Sequence, residues 1–185
     1  ALIEAMDALQ QRICGEVKPG VDFMVLHALT HRQVASLLRE AGIVRCSADE
    51  AVATGITRAF LPHGLGHLLG LQVHDAGGRL ADETGAKREP PAKDPALRLT
   101  RVLQAGFVVT IEPGLYFIPT LLRAALERHE DKLNRSLIER LVPFGGVRIE
   151  DDVEVTQDGH RNLSRDAFAA AGITDPTPYA NPSPR

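Results

Sequence analysis

Apolar positions recur at steps of three and four along the first forty residues. Met6, Leu9, Ile13 and Val17 predict an amphipathic helix over 2–17, which Lys18-Pro19-Gly20 brings to a stop. Asp22 is placed to cap a second helix with the apolar stripe Val25, Leu29, Val34, Leu37, Leu38 and Ala41. Gly42 stands where a C-terminal glycine belongs. Ser47 with Glu50 three residues on is a capping box, opening a short third helix up to about Gly55.

From residue 60 the texture changes. Segment 60–78 carries too many glycines for a helix, which predicts a turn and an adjoining strand. Residues 79–96 are charged and proline-bearing, a surface excursion. Phe107 to Glu112 reads as an apolar strand ended by Pro113-Gly114, with Leu115 to Ile118 as its return. Residues 120–141 contain no Gly or Pro, and Leu122, Leu126, His129, Leu133, Leu137 and Leu141 run down one helical face, so one helix is predicted there. A strand at 147–150 follows, and Val153 to Thr156 alternates before the turn signal Asp158-Gly159. Helices come first and strands dominate the second half, without βαβ rhythm or internal repeat. That pattern predicts an α+β fold with a mostly antiparallel sheet, in one unit over 1–170 followed by a proline-rich coil tail, 171–185.

Composition narrows the function classes. Hydrophobic residues make up 44% and charged ones 24% of the 185, ordinary for a soluble globular domain. A net charge of −3 shows no basic excess of the kind nucleic acid or a membrane surface would select. No apolar run approaches the roughly 20 residues needed to cross a bilayer. The two cysteines, Cys14 and Cys46, read as free thiols of a reducing cytoplasm. The opening Ala-Leu-Ile-Glu-Ala-Met-Asp is not a signal peptide and reads as a helix already under way, so a fragment is expected.

Three segments hold the candidate chemistry. Pro62 to Asp75 places His63, His67 and His74 among three glycines; Ile111-Glu112-Pro113-Gly114 ends a strand on a carboxylate; Val147-Arg148-Ile149-Glu150 puts Arg148 and Glu150 on one strand face. A helix-borne zinc-peptidase motif is excluded, because Gly-Leu-Gly separates His63 from His67 and no Glu follows His63. A glycine-rich turn lets backbone approach a ligand closely. A carboxylate buried at the end of an apolar strand needs a partner, and a cation is the simplest one. Taken singly, each residue has a plainer reading: a hydrogen-bonded histidine, an exposed strand-end Glu112, an ion pair between Arg148 and Glu150. Asp151 and Asp152 read as solvated turn residues. Mixed histidine and carboxylate donors suit Mn, Co, Zn or Fe(II).

The three motifs in this order resemble the Xaa-Pro dipeptidases (prolidases) of the pita-bread metallopeptidase family, kin of aminopeptidase P and methionine aminopeptidase. The likeness runs over about 1–165 and includes Pro19-Gly20, His27, His31, Ser47-Ala48-Asp49-Glu50 and Arg101. It implies a curved, mostly antiparallel sheet with helices on its outer face. By position it implies His67, Glu112 and Glu150 as metal ligands, with Glu112 also the general base. His63, His74 and Arg148 would act on substrate and intermediate, and Arg101 would help recognise a free C-terminus. The implied reaction is hydrolysis of Xaa-Pro dipeptides by a hydroxide on two divalent ions, Mn foremost, in a cytoplasmic homodimer.

One departure from the family pattern stands out. Its two aspartate ligands come from a hairpin upstream of the first helix, and neither is present. Gly55 to Phe60 only echoes that hairpin, while Asp82 and Asp94 lie in a hydrophilic loop and are poor substitutes. The chain is therefore expected to be the C-terminal part of the catalytic domain, with an incomplete metal site and without activity of its own. The alternatives are an aminopeptidase P-type peptidase, a non-catalytic pita-bread binding module, and a mononuclear hydrolase using His67, Glu112 and Glu150 alone.

Overall fold

A computed structural model describes residues 2–173. Helix α1, Leu2–Cys14, buries Met6, Leu9 and Ile13 as its spacing predicts, together with Gln10. Gln10 tolerates burial because its Nε2 donates to the Ile111 carbonyl oxygen at 3.2 Å. Helix α2, Phe23–Glu40, starts on Asp22, whose side chain accepts from the Met24 amide. Its buried face is turned from the predicted stripe. Val25 is largely exposed, while Leu26, His27, Thr30 and His31 point inward. The apolar stripe alone did not fix the rotation, because Thr30 and His31 satisfy their polar atoms when buried, Thr30 locally on the Leu26 carbonyl and His31 on the distant Thr57. The Ser47 cap opens α3, Ala48–Ala53, and a further single turn, α4, Thr57–Phe60, follows. Its Phe60 is fully buried.

The strands are shorter than their apolar runs and form two ribbons. β1, Val108–Ile111, and β5, His160–Asn162, flank β4, Asp151–Val155, all antiparallel. β2, Gly114–Tyr116, pairs antiparallel with β3, Gly146–Arg148. The chain passes from β1 to β2 at Glu112-Pro113 and from β3 to β4 at Ile149-Glu150. Because Ile111 faces Asp151 and Gly114 faces Arg148, these two crossings lie opposite one another. That register carries Glu112 and Glu150 to a common junction from residues 38 positions apart.

Four expectations need correction. No strand forms over 71–74; Leu71, Val73 and His74 are exposed in an irregular loop, and only Leu68 makes an isolated bridge, to Val109. The helix predicted over 120–141 is two, α5 at Pro119–Arg128 and α6 at Arg135–Leu141. Between them Leu133 bridges to Val44, the Asn134 amide donates to the Ile43 carbonyl, and Asn134 caps α6 through Leu137. Those bonds outcompete continued helix. Asp151 is not a solvated turn residue. It is 2% exposed and accepts from Gln11, Asn162 and Arg165, which satisfy its charge. The excursion 79–96 is exposed near 81–87 but ends inside, with Leu97 buried and Asp94 held by Arg58.

Helix α1 lies on α2 on one side and reaches β1 on the other, so the core is a helical layer against the ribbons. Each fully buried Leu, Ile or Phe there contributes about 1.5–3 kcal/mol. A last helix, α7, Leu163–Ala170, follows β5. The tail from 174 onward lies outside the described residues. Among the described residues no helix is long and apolar enough to cross a membrane.

Candidate metal centre

The histidine loop is held against β1 by its glycines. A Cβ on Gly66 would overlap the Thr110 carbonyl oxygen, and one on Gly64 would lie 2.8 Å from the Leu97 Cα. With both glycines the loop backbone lies against its neighbours: the Thr110 amide donates to the His67 carbonyl at 2.9 Å, and the Glu112 amide to Leu65 at 2.8 Å. The Thr110 hydroxyl accepts from the His67 amide at 3.0 Å and donates to Glu112 Oε1 at 3.2 Å. One threonine thus ties the loop histidine to the strand-end carboxylate.

His67 is buried, and its Nδ1 lies 3.0 Å from the Leu68 carbonyl oxygen. A carbonyl only accepts, so Nδ1 carries the proton and the Nε2 lone pair faces Glu112 Oε1 at 3.6 Å. The donor atoms of His67, Glu112 and Glu150 all lie within 4.8 Å of one another. Burial raises the pKa of Glu112, and the neighbouring negative charge of Glu150 raises it further. Arg148 offsets part of that, its Nη1 lying 3.1 Å from Glu112 Oε2 and 3.8 Å from Glu150 Oε2. An imidazole whose free lone pair faces two mutually repelling carboxylates fits a divalent cation, which removes the repulsion.

His63 belongs to the same site through a residue that sequence reasoning missed. Tyr116 Oη lies 2.6 Å from Arg148 Nε and 2.9 Å from His63 Nε2, and His63 Nδ1 lies 2.7 Å from the Gly64 carbonyl. Arginine only donates and the carbonyl only accepts, which sets every direction: Arg148 to Tyr116, Tyr116 to His63 Nε2, and His63 Nδ1–H to Gly64. His63 is neutral in this chain of bonds; burial lowers its pKa and the Arg148 charge adds to that. The signal for Tyr116 was slight, one of two adjacent aromatics, Tyr116 and Phe117, on the return strand predicted after Pro113-Gly114. His74 stands over His67 with ring centroids 4.5 Å apart at 79°. Its pKa is lowered, by desolvation first and then by Arg98 and His67.

A cleft of about 290 Å³ is lined by His63, Gly64, Gly66, His74, Ala96, Arg98, Glu112 and Arg148. Of the residues singled out in the sequence, His63, His67, His74, Glu112, Arg148 and Glu150 come together here. Arg101 does not line the cleft. Its guanidinium lies over the Phe107 ring at 4.9 Å, and the arginine at the cleft wall is Arg98.

The sequence profile of Metallopeptidase family M24 matches residues 1–157. The chain belongs to metallopeptidase family M24. This M24 chain is 48% identical over 172 residues to the Xaa-Pro dipeptidase of Stenotrophomonas maltophilia (strain K279a), covering 92% of itself and 39% of that relative. It is 53% identical over 169 residues to the Xaa-Pro dipeptidase of Marinobacter nauticus, covering 90% of itself and 38% of that relative. Among solved structures it resembles an aspartate-to-alanine variant of Escherichia coli aminopeptidase P, with a TM-score of 0.64, 27% identity, and coverage of 89% of this chain and 30% of that one. The same enzyme with the inhibitor Pro-Leu gives a TM-score of 0.62 at 26% identity, with coverage of 89% and 30%. The M24 chain therefore has the pita-bread, α+β architecture, and spans about 39% of the length of the dipeptidases it matches.

Proposed function

We propose that this chain is the C-terminal part of the catalytic domain of an Xaa-Pro dipeptidase, hydrolysing the amide bond before a C-terminal proline. The observation that carries the reading is the convergence of His67, Glu112 and Glu150 at one junction beside the His63–Tyr116–Arg148 relay. The identity to Xaa-Pro dipeptidases over most of the chain supports the substrate class. Three ligands on the chain suit part of a centre for two divalent ions, Mn foremost. The remaining carboxylates are assigned to the part of the relatives that this chain does not cover. Cytoplasmic residence and a homodimer belong to the same reading.

When bound, divalent ions polarise the scissile carbonyl and make the attacking water acidic at neutral pH. Glu112, with its raised pKa, takes the proton from that water and returns it to the departing proline nitrogen. Arg148 holds both carboxylates in place and keeps Tyr116 turned toward His63. His63 and His74, both lining the cleft, hydrogen-bond to the substrate. His63 enters as a neutral imidazole, so it first meets substrate through a rearranged bond to Tyr116. Arg98, at the cleft wall, is a better placed partner for the proline carboxylate than Arg101.

The test is hydrolysis of Ala-Pro by the whole protein loaded with Mn(II), compared with Glu112→Gln and with residues 1–185 alone. Cleavage that drops at least a thousandfold in Glu112→Gln, and is absent from residues 1–185 alone, is expected. Protein that leaves Ala-Pro intact but removes the first residue of longer Xaa-Pro peptides would be an aminopeptidase P, the reading that the structural neighbours favour. Turnover by residues 1–185 alone would support the mononuclear alternative.

A further inference from the structure

A second set of ligand-type side chains lies apart from the Glu112–Glu150 junction. His27 and His31, four apart on α2, project from one face of the helix toward Asp94 at the inner end of the 79–97 loop. Their donor atoms and an Asp94 oxygen all lie within 4.8 Å of one another. His27 Nε2 is 3.6 Å and His31 Nε2 is 4.0 Å from Asp94 Oδ1, and the two rings meet edge to face at 4.7 Å. His27 is 3% exposed, yet neither of its ring nitrogens has a hydrogen-bond partner among the described residues.

We propose that His27, His31 and Asp94 form a second binding site for a divalent first-row transition ion. Two imidazoles and one carboxylate are a donor set for such ions. Metal bonds of about 2.0–2.2 Å put neighbouring donor atoms about 3–3.5 Å apart, so small side-chain rotations complete the triad. Two of the ligands are already steadied from behind. His31 Nδ1 lies 3.0 Å from Thr57 Oγ1, which turns Nε2 toward Asp94. Arg58 reaches both Asp94 oxygens, at 2.6 and 3.1 Å, and leaves a lone pair on each.

A shared proton explains the cluster less well, since 3.6 Å is too long for a hydrogen bond between His27 and Asp94. Burial also keeps both imidazoles neutral, that of His31 down to about 3, so their lone pairs are free at neutral pH. Arg58 and Lys93 line the adjoining cavity of about 90 Å³, and their charges oppose a cation. The ion is therefore expected to bind here more weakly than at the first centre. His63 and Ala96 border both this cavity and the catalytic cleft. An ion that pins the 94–96 loop to α2 would thus stiffen one wall of the cleft.

The experiment uses the whole protein with the first centre removed, as His67→Ala, Glu112→Gln and Glu150→Gln together. Stripped of metal and titrated with Co(II) or Zn(II), this variant is expected to retain one equivalent, with the visible absorption of a histidine-bound Co(II). Adding His31→Ala or Asp94→Ala should remove that equivalent and weaken binding at least a hundredfold. Where either unfolds, His27→Ala decides, because His27 makes no hydrogen bond whose loss would disturb the fold. Absence of bound ion in the triple variant, or an equivalent that survives loss of His27, His31 and Asp94, overturns the proposal. Ala-Pro hydrolysis, read separately on the unaltered protein, reports on the peptidase and not on this site.

Discussion

Tyr116 engages two residues of the site at once, Arg148 and His63, and the proposed reaction gives each of them a role. Its hydroxyl accepts from Arg148 and donates to His63, so Tyr116→Phe leaves Arg148 Nε and His63 Nε2 without those bonds and opens no cavity. Loss of a hydrogen bond to a charged group is worth about 1.5–3 kcal/mol. Such a loss in the transition state lowers kcat/KM for Ala-Pro by roughly 10–100-fold, whereas the melting temperature should hardly move. An unchanged kcat/KM would remove Tyr116 from the relay. Cys14 carries a second residue-scale prediction. Burial, helped by the charge of Asp151, pushes its thiol up from 9.0 to about 12. A group whose folded pKa is raised stabilises fully below its unfolded value and loses that contribution as pH climbs through the folded one. Stability should therefore fall between pH 9 and 12, and Cys14→Ser should flatten that limb of a urea-unfolding series. Half-buried Cys46 should react with a thiol reagent at pH 8 well before Cys14 does.

Among the elements, the glycine loop is the one whose position matters most to the site. Gly66→Ala forces a Cβ into the Thr110 carbonyl and pries the loop from β1. Overpacking of this kind costs about 1–3 kcal/mol. Because His67 and Glu112 sit on the two separated pieces, metal affinity should fall along with the urea midpoint; a stable Gly66→Ala protein of unaltered affinity would contradict this account. The capped starts of α2 and α3 were legible, since Asp22 and Ser47 act through bonds two or three residues away. Continuity of the helix over 120–141 was not. Its period was sound, but the break at Leu133-Asn134 comes from bonds to residues 43–44, far off in sequence. Likewise the strand predicted beside the glycine turn within 60–78 shrinks to a single bridge from Leu68 to Val109.

On the scale of the molecule, the first helix and the last are joined through one buried carboxylate. Arg165 donates to Asp151 at 2.8 Å and to Asp7 at 2.6 Å, and Gln11 of α1 reaches the same Asp151 oxygen. Removing one partner of a buried ion pair strands the other charge, at a cost of about 3–5 kcal/mol. Arg165→Met should therefore lower the unfolding free energy by that order in a urea titration, with Asp151→Asn in the same background recovering part of it. A loss below 1 kcal/mol would show that α7 is dispensable to the rest of the fold. The network was invisible beforehand because Asp7, Gln11, Asp151 and Arg165 are ordinary surface residue types spread over the whole chain, and only folding gathers them and buries Asp151.

What the amino-acid order determined unaided was local. It set where most helices and strands start, where caps and glycine turns fall, and which histidines and carboxylates are of a type to hold a metal, because each depends on neighbours within a few residues. Convergence was decided elsewhere. The crossing of β1–β4 with β2–β3 brought Glu112 to Glu150, the rotation of α2 turned His27 and His31 inward, and the returning loop carried Asp94 to meet them. Those are relations between distant segments, set by packing and strand register, and no local pattern encodes them.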